Sequence, residues 1–519
     1  MKNNFEGGSI DAHRRKFYIL ELLKMSSLKD LKEKFVSDLT GGLVLEIYAV
    51  TGTALAALVA RLCVDKYLVP KVQILSEFPV LFILSFCFDV VIQLQAITIL
   101  SGLVQKLYRT CGAICVGALV FNGVFGKILE VQKSQKSQKS QKSQKTRHSA
   151  ANPGQGHDSL GLIPYITAYR AQMLIITNLA ILAVDFHVFP RRFAKVETWG
   201  TSMMDLGVGL FVFSMGLANS RSIIKSQLSR DKKRDSYFKL VYKNTLKALP
   251  VLSLGMIRLV SVKSLEYQEH VTEYGVHWNF FITLGLLPIF LGILDPVFAY
   301  VPRFLVALAI GVIYECVLQF GLARFVLDET NRNYNLLTLN KEGLASFVGY
   351  LSIFIFGQSF GSFVLTTKRI PNNLIGIGLL KKPRSWLTVS STTGLIIASL
   401  LLFGLFNVSD EIAFTGTISR RLANLSYVLW VVSYNSVMLL CYNVAEKVVG
   451  PVNSRIFNAI NRNGLAIFLA ANLATGCINM STNTLAASDG VAYTILIVYS
   501  LFWVSLALVL DHYRIYIKL

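Results

Sequence analysis

Leu182–Gly209 reads LAVDFHVFPRRFAKVETWGTSMMDLGVG. An apolar run ends at Asp185, Pro190 breaks any helix that would continue, and Arg191, Arg192, Lys195 and Glu197 follow before a second apolar run begins near Asp205. A polar knot between two apolar stretches is what a chain shows where it crosses a bilayer, turns and crosses back. The flanking runs, 166–184 and 204–220, each approach the roughly 20 residues a spanning helix needs.

Outward from this knot the pattern repeats along the whole chain. Thirteen such runs are expected, at 43–61, 79–100, 111–126, 166–184, 204–220, 247–262, 276–294, 304–322, 344–365, 388–406, 424–445, 464–480 and 491–510. The stretch 79–126 is interrupted by Asp89, Lys106 and Arg109, and reads either as two spans or as one tilted span with a re-entrant piece. Composition agrees with a membrane protein: of 519 residues 53% are hydrophobic and 16% charged, whereas a soluble globular chain carries about a quarter charged residues. The fold class expected is all-α and polytopic. It divides into a lumenal tail (1–42), helices 1–3 (43–126), a disordered cytoplasmic loop (127–165) and helices 4–13 (166–519), the last carrying the working site.

The formal net charge of +21 is explained by topology and not by nucleic-acid binding. The loops after odd-numbered spans, with the C-terminal tail, hold 28 Lys and Arg, against 11 in the loops after even-numbered spans. The positive-inside rule makes the odd loops cytosolic, with the N-terminus lumenal and the C-terminus cytosolic; the eight Lys and Arg of the N-terminal tail argue the other way. The first forty residues are polar and of mixed charge, so the first span is expected to be an uncleaved anchor. The QKS repeat at 132–145 has no apolar side chain to bury and is expected to be disordered. It and the basic loop Ser220–Tyr237 serve either to fix topology or to touch anionic headgroups. The seven cysteines form no CxxC pair and are expected to be small apolar core residues, not a disulfide frame or a metal site.

No nucleophile elbow, zinc helix, phosphate loop or dinucleotide fingerprint is present in a usable context. The polar residues concentrate instead beside the loops assigned to the lumen. Asp185 and the cations after it are either an ordinary helix end with snorkelling side chains, or a general base beside an oxyanion-stabilising lysine, Lys195. At the edge of low dielectric Asp185 is expected to have a raised pKa and to accept a proton from an alcohol, chemistry suited to acyl transfer. A second cluster, Leu265–Phe281 (LEYQEHVTEYGVHWNFF), offers Glu266, Glu269, His270, Glu273 and His277. Its spacing matches no zinc pattern well, so headgroup binding or an interfacial aromatic belt around Trp278 is expected in place of a metal. Asn340–Gly343, Arg420–Asn424, Asn479 and Asn483 are smaller polar signals on the same side.

Long strings then carry a resemblance. Pro164–Gly216, Leu265–Pro288, FVSDLTGG at Phe35–Gly42, NKEG at Asn340–Gly343, RRLAN at Arg420–Asn424 and YRIYIKL at Tyr513–Leu519 closely resemble the GPI-anchor inositol acyltransferase family, whose fungal branch is called GPI-anchored wall transfer protein. The resemblance implies a thirteen-span enzyme of the endoplasmic reticulum membrane. It would move a palmitoyl group from palmitoyl-CoA, a co-substrate, to the inositol 2-hydroxyl of glucosaminyl-phosphatidylinositol, with no cofactor and no metal. It also implies that Asp185 and Lys195 are the catalytic pair. Arg191 and Arg192 are then expected to hold phosphate oxygens. Glu197, Asp205, His270, His277, Trp278, Asn424 and Asn479 are expected at the substrate. The sequence departs from the family pattern at His187, where a small or apolar residue is expected. The competing readings are a lipid or solute transporter using Asp89, Asp205 and Glu315, and a non-catalytic subunit of a lipid-modifying complex.

Overall fold

The computed structural model describes residues 31–32, 34–37, 39–98, 102–136, 162–228, 236–264, 271–328, 330, 335–365, 373–376, 387–412, 418–452 and 454–517. Their architecture is a bundle of long helices. We number them α1 Val44–Tyr67, α2 Phe78–Thr98, α3 Gly102–Lys136, α4 Pro164–Ala183, α5 Met203–Leu228, α6 Tyr237–Ser264, α7 Phe280–Phe298, α8 Arg303–Leu327, α9 Lys341–Val364, α10 Ser391–Ile412, α11 Leu425–Val448, α12 Gly464–Ser481 and α13 Asp489–His512. The apolar runs therefore fall on these helices one for one. Twelve are long and apolar enough to cross a membrane; α6 is long enough but carries Lys239, Lys243, Lys247, Arg258 and Lys263, which dilute its hydropathy.

The region 79–126 is two helices, as the count of thirteen has it, and not one tilted span with a re-entrant piece: α3 starts at Gly102 and takes Lys106 and Arg109 into its first turns. It continues past residue 126 to Lys136, so the QKS repeat begins as helix; the remainder of the repeat lies outside the described residues. The cysteines are also not uniformly core residues: Cys63 and Cys111 are buried, whereas Cys87, Cys316 and Cys477 face outward.

What interrupts α2 is a π-turn at Cys87–Val91, and Asp89 within it is buried. Asp89 accepts hydrogen bonds from Arg61 and from Ser454 (3.0 Å), and Arg61 also donates to Ser85 (3.0 Å), which ties α1, α2 and the segment after α11 together. Paired in this way, the charge is tolerable inside an apolar bundle.

The centre is α9, buried from Ala345 to Val364 except for the half-buried Val348. Small residues let α5 approach it. A Cβ on Gly216 would stand 2.1 Å from the Phe354 carbonyl oxygen, and one on Gly357 2.2 Å from that of Phe213. Gly357 and Gly361 form a GxxxG pair, the spacing that allows helix backbones to touch where no hydrophobic effect drives them together. The outer surfaces of α8, α10 and α13 expose Ile313, Phe320, Leu400, Leu401, Val498 and Phe502, as a lipid-facing surface requires.

Candidate active site

One end of the bundle gathers the start of α1, the end of α4, the starts of α5, α7 and α11 and the end of α12. There α4 stops at Val184, and Asp185 and Phe186 turn back onto Leu182 and Ala183 through 3.2 and 3.0 Å hydrogen bonds. Phe186, Phe189 and Phe193 are buried and anchor the loop in the core. The next residues are knitted to the segment before α1: Gly42 N donates to Thr201 O (2.8 Å) and Thr201 Oγ1 to Gly42 O (2.7 Å). Gly41 (φ 82°) and Gly200 (φ 131°) make that crossing possible, because a Cβ on either would strike the other strand's carbonyl oxygen, at 2.2 and 2.5 Å.

Asp185 accepts 2.7 Å from Asn479 Nδ2 at the end of α12. Lys32, from the segment before α1, reaches the same asparagine at 3.4 Å. Burial pushes the Lys32 ammonium below the ordinary lysine range, and the Asp185 charge partly restores it. Lys195 Nζ donates to both carboxylate oxygens of Glu273, at 2.8 and 2.9 Å. Glu273 also accepts from Arg420 Nη1 (3.0 Å), whose Nε donates to Asp205 Oδ1 (2.6 Å). Asp205 is held on its other oxygen by Ser202 Oγ (2.7 Å) and the Val196 N–H (3.1 Å). The result is a chain of alternating charges, Lys195, Glu273, Arg420 and Asp205, drawn from three parts of the sequence. Burial opposes the charge on Arg420, but Glu273 and Asp205 outweigh it and hold the guanidinium well above its ordinary pKa.

Lys32, Asp185, Lys195, Glu273 and Arg420 face one cavity of about 740 Å³. Its charged lining is Lys32, Asp185, Lys195, Glu197, Arg258, Glu273 and Arg420, which form the mouth. Below them the lining turns apolar along α4, where Ile181, Ala180, Ile176 and Met173 follow one another at helical spacing, with Leu210 and Phe211 of α5, Phe281 of α7 and Phe468 and Leu469 of α12 opposite. A charged mouth above an apolar shaft fits an amphiphile whose reacting group stays at the membrane boundary.

The expected site residues divide. Asp185, Lys195, Glu197 and Trp278 line the cavity, Asn479 holds Asp185, and Asp205 anchors Arg420 beneath it. Arg191 lies along the turn it belongs to, donating to the carbonyls of Val184, Phe186 and Phe189 at 2.8–3.1 Å, with its guanidinium 3.9 Å from the Phe35 ring. Burial lowers its pKa to about 10, against the pull of Asp185. Arg192 makes a two-oxygen pair with Glu46 (2.8–3.0 Å). Asn424 caps α11, accepting from Tyr427 N (3.2 Å), and His277 donates its backbone N–H to Asn340 Oδ1 (2.8 Å). His187 is exposed, edge-on to Phe35 at 4.7 Å; His270 lies outside the described residues.

Glu273, Arg420 and Lys32 are the site groups that the sequence reading left unassigned. Glu273 lies in a cluster with other acids and histidines and Arg420 in a short polar block, and nothing local pairs residues so far apart. The three acids of the transport reading have separate partners: Asp89 sits among α1, α2 and Ser454, Glu315 accepts from the Leu425 N–H at the start of α11 (2.9 Å), and Asp205 belongs to the chain of charges.

Comparison with known proteins gives a consistent picture. The family model described as GWT1 matches residues 28–510. A protein of Debaryomyces hansenii, named GPI-anchored wall transfer protein 1, is 51% identical over 517 residues, covering 95% of this chain and 100% of its own length. Proteins of the same name from Candida albicans and Saccharomyces cerevisiae are 50% and 39% identical, with the same coverage of both chains.

Proposed function

This chain belongs to the GWT1 family and has a role in GPI-anchor biosynthesis, and from that premise we propose that it is the acyltransferase that moves a palmitoyl group from palmitoyl-CoA to the inositol 2-hydroxyl of glucosaminyl-phosphatidylinositol in the endoplasmic reticulum membrane. The observation that carries the reading is a cavity in which a charged mouth meets an apolar shaft. It lets the fatty chain lie among helices while its thioester stands beside Asp185 and Lys195, so the reaction becomes nearly intramolecular.

In this mechanism the inositol oxygen attacks the thioester carbonyl carbon while Asp185, steadied by Asn479, takes the hydroxyl proton. Lys195 donates a hydrogen bond to the carbonyl oxygen as it becomes anionic. The carbon–sulfur bond then breaks, and the proton on Asp185 passes to the CoA thiolate. Glu273 and, through it, Arg420 fix where the Lys195 amine points.

The test is purified chain in detergent with labelled palmitoyl-CoA and glucosaminyl-phosphatidylinositol. An alkali-labile acyl group on inositol is expected, with transfer falling by about 10² or more in Asp185→Asn and in Lys195→Ala. No acylated glycolipid from the folded wild-type chain overturns the reaction, and full activity in both variants overturns the assigned pair.

A further inference from the structure

We propose that the closed end of the cavity, where Tyr442 is hydrogen-bonded to Gln172, sets the length of fatty chain that this protein accepts; the proposal rests on the acyl-transfer function argued above. The cavity follows one face of α4 from Asp185 down to Gln172 and Tyr169. Along a helix that rises about 1.5 Å per residue, Asp185 and Gln172 are separated by roughly 20 Å. An extended carbon chain, with bonds of about 1.5 Å meeting at roughly 111°, advances about 1.25 Å per carbon. A chain of about 16 carbons whose thioester lies between Asp185 and Lys195 therefore ends at the Gln172–Tyr442 pair.

The end is a fixed stop. Tyr442 OH donates to Gln172 Oε1, and Gln172 Nε2 donates to the Ala54 carbonyl (2.8 Å), so α11, α4 and α1 are joined across the floor. Tyr169 packs edge-on against Tyr442 at 5.7 Å and donates to Asn435 Oδ1, and Asn435 in turn donates to the Val431 carbonyl (2.7 Å). Gln172, Tyr169 and Tyr442 are all buried. A longer chain would have to displace the packed Tyr442 ring, whereas a shorter one would leave apolar wall without contacts.

The experiment measures transfer from acyl-CoA donors of 12 to 20 carbons. Tyr442→Ala removes the ring and opens about 5 Å, and is expected to move the optimum to donors about four carbons longer, raising the 20-carbon to 16-carbon ratio of kcat/KM about tenfold or more. Tyr442→Phe keeps the ring and is expected to keep the wild-type optimum. Ile176→Phe, partway down the shaft, is expected to shift it to donors of about 12 carbons, and this variant reports even if Tyr442→Ala does not fold. An unchanged chain profile in active Tyr442→Ala or Ile176→Phe overturns the floor while leaving acyl transfer standing. Failure of the wild-type chain to transfer any donor overturns the acyl-transfer reading and this proposal with it.

Discussion

Glu273 serves two cations at once, taking both hydrogen bonds from Lys195 and a third from Arg420. Its Gln variant keeps the shape and loses the charge that aims Lys195, so Glu273→Gln is expected to lower kcat about 10²-fold with KM nearly unchanged. Steady-state acyl transfer reads this, and a drop confined to KM would contradict it. That Asp185 and Lys195 sit together at a membrane boundary was legible because a helix end, a proline break and a lysine fall within one loop, whereas their roles come only from the resemblance. Glu273 was visible only as a possible metal ligand. Its partners lie 78 and 147 residues away, and no periodicity connects them. Arg191 and Arg192 show the converse: two adjacent arginines read as phosphate ligands, yet one follows its own turn and the other pairs with Glu46 in the first turn of α1.

At the scale of the helices, hydropathy located every long element, since about 20 apolar residues in a row leave the chain few alternatives. It misjudged α3 and α6 because charge at a helix end weakens the apolar signal without stopping the helix. The contact between α5 and α9 was not legible, although its means were: Gly216, Gly357 and Gly361 are in plain view and only the partner is hidden. Gly357→Leu is expected to force these backbones apart and to abolish a monodisperse, heat-resistant particle in detergent. Gly112→Leu on α3, where an added Cβ meets nothing within 4 Å, is expected to leave the melting profile unchanged. Gel filtration and thermal unfolding of the two variants make the comparison; equal behaviour would rule out close backbone approach as the reason for the glycine.

For the whole molecule, the arginine and lysine counts predict a sidedness that labelling tests. A cysteine placed at Ser236 is expected to react with a membrane-impermeant maleimide in sealed, cytosol-out microsomes, and one at Asn483 only after permeabilisation. The reverse pattern would invert the molecule. The cavity itself was not legible, because it is made by surfaces of helices that meet only in three dimensions. The alternating chain of Lys195, Glu273, Arg420 and Asp205 also bears on biogenesis. Asp205 and Glu273 leave the ribosome long before Arg420, which just precedes the eleventh helix. Until that segment is made, Glu273 has Lys195 beside it but Asp205 stands at the membrane boundary without its counter-ion, and the site cannot close. Quality control that recognises unpaired charge in a nascent bundle would therefore discard chains truncated before residue 420, so that only a nearly complete translation product escapes degradation.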